Sequence, residues 1–301
     1  MGPLSPLSFR KIDRRRFLAA GLMSAAGLAL YSGEVARHWV ELIERDVQLA
    51  GLPEALHGLR IAQISDIHFE EYTEAFFLRH VVHRINRLKP DVVVLTGDFI
   101  SIGPLGKPFA AEAIWKCAQV LAELDCPQVF AVLGNHDVDV DPGEVTRALS
   151  SQGVTVLNNS HAPIERGNHR LWMAGMVDIA DCKPRPELAV PEAIRQQPEE
   201  PVILLCHSPD YADQLLQKPV GQAIGLMLSG HTHGGQIRLP LFGPLVTPIH
   251  GRKYIHGLFH LGALQLYVNR GIGTVGVPFR FACPPEITVL TLKKHVPEPS
   301  T

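Results

Sequence analysis

Residues 59–68 have the sequence Leu-Arg-Ile-Ala-Gln-Ile-Ser-Asp-Ile-His, a mostly apolar run that ends in two polar side chains, Asp66 and His68. Four more apolar runs follow, at residues 92–95, 129–133, 202–205 and 226–228. Helical spacing of apolar residues predicts helices over 74–88 and about 110–124, and a third behind Pro142. Short runs rich in β-branched residues that alternate with helices are typical of sheets covered by helices. We therefore predict an α/β fold.

Polar residues with metal-binding side chains follow all five apolar runs. They are Asp66 and His68, Asp98, Asn135 and His136, His207, and His231 with His233. Open α/β sheets bind ligands at the carboxyl ends of their strands, so we expect these side chains to lie together. A single such residue would have little meaning, but five strand ends with the same chemistry predict a metal centre.

The ligand types indicate the class of metal. Without His136, the set contains two carboxylates, four imidazoles and one amide, which suit manganese, iron or zinc, with cobalt and nickel as substitutes in vitro. Seven ligands are too many for one tetrahedral ion with an open position. They suit two divalent ions about 3.5–4 Å apart that share a bridging carboxylate.

The motifs resemble those of the calcineurin-like metallophosphoesterases. The resemblance extends from about Leu52 to Leu292 and rests on Asp66-x-His68, Gly97-Asp98, Gly134-Asn135-His136-Asp137, His207 and Gly230-His231-x-His233. Further motifs are similar to the exported or membrane-anchored branch, which includes YaeI/YkuE-type phosphoesterases and LpxG-type UDP-diacylglucosamine pyrophosphatases. These motifs are Gly51-Leu52-Pro53, Gly234-Gly235-Gln236, Asn269-Arg270-Gly271-Ile272-Gly273 and Pro284-Pro285-Glu286. The resemblance implies a β-sandwich flanked by helices, in α/β/β/α layers, with the dimetal site at the strand ends.

The resemblance also implies a role for each site residue. One ion is held by Asp66, His68, Asp98 and His233, and the other by Asp98, Asn135, His207 and His231, with Asp98 bridging. The two ions activate water for in-line attack on phosphorus and bind the phosphoryl oxygens. We assign His136 to catalysis, where it stabilises charge in the transition state and protonates the leaving oxygen. Asp137 either orients that imidazole or is an ordinary loop carboxylate.

The N-terminus has the pattern of an export segment. Five positive charges and one negative charge lie in residues 1–16, and residues 17–33 are uncharged. The stretch Asp13-Arg14-Arg15-Arg16-Phe17-Leu18 resembles the twin-arginine export signal of bacteria, and the alternative is a plain signal anchor. We expect a signal or membrane anchor at 1–33, a connecting segment at 34–50, the catalytic domain at 51–294 and a tail at 295–301. The protein would then be periplasmic or anchored to the inner membrane, with the twin-arginine machinery as a partner.

Composition excludes several other classes of protein. The formal net charge is −2, and the N-terminal 16 residues contribute +4, which leaves −6 on the remainder and argues against a nucleic-acid partner. Five cysteines without C-x-x-C spacing exclude a cysteine zinc knuckle and a thioredoxin motif. We expect a dimetal hydrolase of phosphate monoesters or diesters. The alternatives are a UDP-2,3-diacylglucosamine-type lipid pyrophosphatase with the same chemistry and a metal-binding scaffold without catalysis.

Overall fold

The computed structural model describes residues 13–103, 106–179, 184–196 and 199–294 of the chain. Its helices are α1 (Arg14–Leu30), α2 (Ala75–Leu88), α3 (Lys107–Leu121), α4 (Asn135–Val140), α5 (Pro142–Ser151), α6 (Pro186–Ala189), α7 (Glu192–Gln196) and α8 (Ala212–Leu215). Its first seven strands are β1 (Glu41–Leu49), β2 (Arg60–Ile64), β3 (Val92–Leu95), β4 (Val129–Ala131), β5 (Thr155–Val156), β6 (Ser160–Arg166) and β7 (His169–Gly175). The others are β8 (Val202–Leu205), β9 (Leu226–Ser229), β10 (Arg238–Leu239), β11 (Gly243–Pro244), β12 (Gly257–Leu261), β13 (Leu264–Val268) and β14 (Glu286–Lys294). The basic residues Arg10 and Lys11 and the expected tail at 295–301 lie outside the described residues.

Two six-stranded sheets form the body of the protein. The first has the order β1-β14-β2-β3-β4-β5, in which β2 to β5 are parallel and β14 runs antiparallel to β2. The second has the order β12-β13-β9-β8-β7-β6, in which β13, β9, β8 and β7 are parallel. Each sheet therefore presents the carboxyl ends of several parallel strands along one edge.

Apolar side chains from both sheets form one shared core between them. This core includes Ile61, Val94 and Leu290 from the first sheet and Met173, Ile203 and Leu228 from the second. Helices α2, α3 and α5 pack on the outer face of the first sheet, and α6, α7 and α8 pack on the outer face of the second. The layers are thus α/β/β/α, which confirms the predicted sandwich flanked by helices.

The segment expected to connect the N-terminal helix to the domain belongs largely to the first sheet. Strand β1 pairs in parallel with β14 over its whole length, from Glu41 opposite Glu286 to Leu49 opposite Lys294. Only Val47 and Leu49 of the strand are buried, because β1 lies at the sheet edge. A charged edge strand has little apolar periodicity, which explains why the sequence pattern did not predict it.

Helix α1 projects from this body. The Asp13 carboxylate caps its first turn by accepting a hydrogen bond from the backbone N–H of Arg15 at 3.3 Å, and none of its residues is buried. With the π-helical turn Tyr31–Val35, it is long and apolar enough to cross a membrane. By length and composition it suits either a signal sequence or an anchor.

Candidate metal centre

The two sheets contribute different side chains to the same site. Asp66, Asp98 and Asn135 follow strands β2, β3 and β4 of the first sheet. The second sheet supplies His207 after β8, and His231 and His233 after β9. Gln63 joins the sheets directly beneath the site, since its amide donates hydrogen bonds to the Thr96 hydroxyl and to the Ser229 carbonyl. The carboxyl ends of five strands therefore meet at one place, as the sequence predicts.

Asp66, His68 and His233 form the first cluster. Their nearest ligand atoms lie within 4.8 Å of one another, and all three side chains are buried. The Nε2 atoms of His68 and His233 are 3.0 Å apart, and His233 Nε2 is 3.4 Å from Asp66 Oδ1. Two imidazole nitrogens and a carboxylate oxygen that converge in this way can hold one divalent cation.

Asp98, His207 and His231 form the second cluster, and their nearest ligand atoms also lie within 4.8 Å of one another. His207 Nε2 lies 3.1 Å from Asp98 Oδ2 and 3.2 Å from His231 Nδ1. The same Asp98 oxygen is 3.8 Å from His68 Nε2 of the first cluster. Asp98 of the second cluster therefore faces the first cluster as well, which is the position that a bridging carboxylate would need.

Backbone carbonyls orient two of the imidazoles. His207 Nδ1 lies 2.7 Å from the Thr96 carbonyl, and His231 Nε2 lies 2.6 Å from the Ile249 carbonyl. Each carbonyl accepts a hydrogen bond from the N–H of one ring nitrogen and leaves the other nitrogen of that ring free to coordinate a metal. The nitrogen left available to a metal is thus Nε2 in His207 and Nδ1 in His231, a difference that the sequence does not reveal.

Five site residues have left-handed backbone conformations, which residues other than glycine rarely adopt. They are Asp66, His68, Asp98, His231 and His233, with φ between 47° and 72°. Each costs roughly 1 kcal/mol or more relative to an ordinary conformation. Such strain persists only where the surrounding structure enforces it, and it concentrates at functional sites.

Two glycines permit the close packing around the carboxylates. A Cβ atom on Gly134 would lie 2.1 Å from Asp98 Oδ1, and one on Gly230 would lie 2.4 Å from Asp66 Oδ2. The Asp66 carboxylate also accepts a hydrogen bond from the backbone N–H of His231 at 3.0 Å. Asp98 Oδ1 accepts one from the backbone N–H of His136 at 3.0 Å. These contacts fix both carboxylates and require glycine beside them.

The electrostatics of the site favour neutral imidazoles. Burial lowers the pKa of His68 to about 3, and it also lowers the pKa values of His231 and His233. His207 behaves differently, because the Asp98 carboxylate outweighs the effect of burial and raises the His207 pKa well above its usual range. Neutral imidazole is the form that binds metals.

The acidic groups show the opposite effect of burial. Burial raises the pKa of Asp66 to about 6 and that of Asp137 to about 8. Burial would also raise the pKa of Asp98, but the charge on His207 and its hydrogen bond hold that pKa well below its usual range. Negative charge at this place therefore requires positive charge beside it, and divalent cations would supply it.

The donor set fits two metal ions. Asn135 Oδ1 is buried and accepts no hydrogen bond from the residues that the structure describes. A buried amide oxygen without a donor is costly, and coordination of a cation would satisfy it. Asn135 is the first residue of helix α4 and lines the same cavity as Asp98.

Asp137 holds the site loops and does not orient His136. Its carboxylate accepts hydrogen bonds from the backbone N–H groups of Asp98, Phe99 and Gly134 at 2.8–2.9 Å, and from that of Ile100 at 3.3 Å. Of the two interpretations that the sequence allowed, the loop carboxylate is the one found.

His136 lines a cavity of about 460 Å³ together with Asp98, Asn135, His231 and His233. Its ring lies edge-on to that of His68, with 5.0 Å between the centroids. Much of the cavity wall is apolar and is formed by Ile237, Leu245, Val246, Pro248, Val275 and Val277. This wall is not evident from the sequence, because its residues lie between positions 237 and 277 and only the fold brings them to the same cavity as His136.

Two adjoining clusters of buried imidazoles and carboxylates beside an open cavity define a candidate dinuclear metal centre, the kind of site found in metal-dependent hydrolases. A family model described as calcineurin-like phosphoesterase matches residues 59–235. The chain belongs to the calcineurin-like phosphoesterase family, whose members are dimetal-dependent, and it is a hydrolase of phosphate ester or pyrophosphate bonds.

Several relatives are similar over most of the chain. The metallophosphoesterase YkuE of Bacillus subtilis is 34% identical over 294 residues, which cover 94% of this chain and 99% of YkuE. The phosphodiesterase YaeI of Escherichia coli is 32% identical over 292 residues, 93% of this chain and 99% of YaeI. The UDP-2,3-diacylglucosamine pyrophosphatase LpxG of Chlamydia muridarum is 29% identical over 286 residues, 78% of this chain and 84% of LpxG. These relatives confirm the branch to which the motifs are similar.

Proposed function

We propose that this protein hydrolyses phosphate esters at the cavity, with two divalent ions held by the six residues of the two clusters together with Asn135. Asp66, His68 and His233 would hold one ion, and Asn135, His207 and His231 the other, with Asp98 shared. The observation that carries the proposal is the position of Asp98, whose Oδ2 lies 3.1 Å from His207 Nε2 and 3.8 Å from His68 Nε2. Manganese, iron or zinc would suit this mixture of nitrogen and oxygen ligands.

The protein's own residues perform the remaining steps. Two divalent ions at such a site lower the pKa of water and polarise phosphoryl oxygens. Asn135 contributes an oxygen ligand without negative charge, which lowers the repulsion of an anionic substrate. The His136 imidazole, which lines the cavity, donates a hydrogen bond to the phosphoryl group and a proton to the oxygen of the leaving group.

The metal-binding role of Asp98 can be tested by replacing it with asparagine. Asp98→Asn keeps the size of the side chain but removes the charge shared by both clusters, so bound metal and hydrolysis should fall together. Metal content by mass spectrometry and turnover of a panel of monoesters, diesters, nucleotides and UDP-lipid provide the readouts. Asp46→Asn, at an exposed carboxylate on β1, is the control. Wild-type metal content in a folded Asp98→Asn variant would rule out the bridging role.

A second candidate function is hydrolysis of a lipid-linked pyrophosphate. The apolar wall of the cavity supports it, because acyl chains would cover that wall, whereas a small polar ester would leave it in contact with water. The similarity to LpxG, a UDP-2,3-diacylglucosamine pyrophosphatase, points in the same direction. Preference for UDP-lipid over soluble esters in the same panel would favour this candidate.

Export of the folded protein by the twin-arginine route completes the proposal. Its support is the pair Arg14-Arg15 followed by Phe17-Leu18 at the start of an exposed apolar helix. Sites rich in imidazole bind divalent metals in the Irving–Williams order, so the ions captured depend on where the protein folds. If the protein folds before export, the metal ions available in the cytoplasm determine which ones it binds. The exported protein would then be periplasmic or anchored to the inner membrane.

A further inference from the structure

The segment 238–249, here called the mouth loop, exposes an unusual amount of apolar surface. It contains the short hairpin β10–β11, and its exposed large apolar side chains are Leu239, Leu241, Phe242, Leu245, Val246 and Ile249. Leu241 is fully exposed at the hairpin tip, and Phe242 beside it is 84% exposed. Scattered apolar residues are normal on a protein surface, but a contiguous group of this size marks an interaction site.

The mouth loop borders the entrance of the metal cavity. Leu245 and Val246 form part of the apolar wall of the cavity that His136 and Asn135 also line. The tip residues Leu241 and Phe242 lie beyond this wall and do not line the cavity. A surface that contacts Leu241 and Phe242 would therefore lie next to the opening through which a substrate enters.

The base of the mouth loop is connected to the end of helix α1 by one short segment. Within residues 278–281, the Phe279 ring packs against Gly33, and the backbone N–H of Arg280 donates to the Ser32 carbonyl at 3.0 Å. At the following residue of this segment, the Phe281 carbonyl accepts a hydrogen bond from the backbone N–H of Arg238 at 2.9 Å. A membrane entered by helix α1 would therefore lie close to the mouth loop.

The charge around the loop suits an anionic membrane surface. No aspartate or glutamate occurs between Asp213 and Glu286, whereas Arg238 lies in the loop and Arg252 and Lys253 lie just after it. Arg252 and Lys253 are exposed, and the Lys253 ammonium pairs with the Asp213 carboxylate at 2.7 Å. Apolar side chains flanked by basic ones are the pattern of segments that lie in the headgroup region of anionic bilayers.

We propose that the mouth loop inserts Leu241 and Phe242 into the lipid bilayer beside helix α1, so that the metal cavity opens onto the membrane surface. The substrate is then an amphiphile whose phosphate or pyrophosphate head group reaches the metals while its apolar part stays against the loop. The substrate class rests on the proposed hydrolase function, whereas the insertion of the loop does not.

Insertion can be measured on the full chain in vesicles of phosphatidylcholine and phosphatidylglycerol. Phe242→Trp places a fluorophore at the tip, and Leu216→Trp, an exposed position at the end of α8, is the matched control. The signal of the three natural tryptophans is subtracted with the wild-type protein. We expect a blue shift and quenching by brominated acyl chains at position 242 and neither at 216.

Equal behaviour at the two positions would overturn the proposal. So would a blue shift that needs no vesicles and grows with protein concentration, because a second copy of the chain would then cover the tip.

A second variant separates docking from catalysis. Leu241→Ser/Phe242→Ser removes only exposed side chains, so hydrolysis of a soluble p-nitrophenyl ester should stay within about twofold of wild type. Hydrolysis of a phosphate amphiphile in the same vesicles should fall about tenfold or more, since two large apolar contacts with the bilayer are lost. An equal rate on vesicles would refute membrane docking. A wild-type protein that hydrolyses neither the soluble ester nor the phosphate amphiphile would instead refute the proposed hydrolase function, and the fluorescence result would still decide insertion.

Discussion

Replacement of Asp137 by alanine tests whether one buried carboxylate holds the metal-site loops. Three short hydrogen bonds are lost, from the backbone N–H groups of Asp98, Phe99 and Gly134 at 2.8–2.9 Å. A buried donor without an acceptor costs about 1–3 kcal/mol. At the lower end of that range, the three donors together predict a loss of about 3 kcal/mol in the free energy of unfolding.

The assay is urea unfolding of the chelator-treated full chain, followed by circular dichroism. The control is Asp141→Ala, because the Asp141 carboxylate accepts a single exposed N–H, that of Glu144 at 2.9 Å, as the N-cap of helix α5. Loss of such a cap costs about 1 kcal/mol. The reasoning is refuted if Asp137→Ala destabilises the protein no more than Asp141→Ala does.

Metal binding gives a second readout of the same variant. Asp137 fixes the backbone of Asp98, which has a left-handed conformation and lies between the two clusters. Asp137→Ala should therefore also reduce metal content, although Asp137 itself is not among the expected ligands. Full metal content in the variant would show that the loops keep their geometry without this carboxylate.

Three further predictions concern catalysis, pH and export. His136→Ala should keep both metals yet lose roughly 10²–10⁴ in kcat, with a smaller loss for p-nitrophenyl esters because their leaving group needs no proton. Equal losses across leaving groups would exclude the acid role and leave charge stabilisation. His68 remains neutral in the folded chain down to a pKa of about 3, whereas the unfolded chain takes up that proton near pH 6.5. Acidification from pH 7 to 5 should therefore destabilise the metal-free wild type more than His68→Gln in thermal melts, and parallel curves would contradict this. Arg14→Lys/Arg15→Lys keeps the positive charge but should block twin-arginine transport, as measured by cell fractionation. Unchanged export would mean that the two arginines are only the basic end of an ordinary signal or anchor.

The sequence predicts the elements that carry the site because their patterns are local. The apolar runs at 92–95 and 202–205 coincide with strands β3 and β8, and α2 begins at Ala75, one residue after the predicted start. The polar residues after these strands are adjacent in the structure because parallel strands present their carboxyl ends at one edge.

Other features depend on contacts that no local pattern reveals. Strand β1 is charged and lies at an edge, so only its pairing with β14 identifies it as a strand. The choice between Nδ1 and Nε2 depends on carbonyls distant in sequence, such as that of Ile249 for His231. The left-handed backbone at the site is likewise enforced by surrounding contacts rather than by intrinsic preference, since aspartate and histidine only occasionally adopt it.

The pairing of β1 with β14 has a consequence for the order in which the chain folds. Strand β14 lies between β1 and β2, so the first sheet stays incomplete until residues 286–294 have left the ribosome. Contacts between the two ends of a chain form late and slow the folding of a domain. The nascent chain should therefore have its N-terminal helix available for recognition well before its body can close. If the chain is exported in the folded state, as proposed above, a targeting factor that binds early and a transporter that accepts only folded cargo would act on the same molecule at different times.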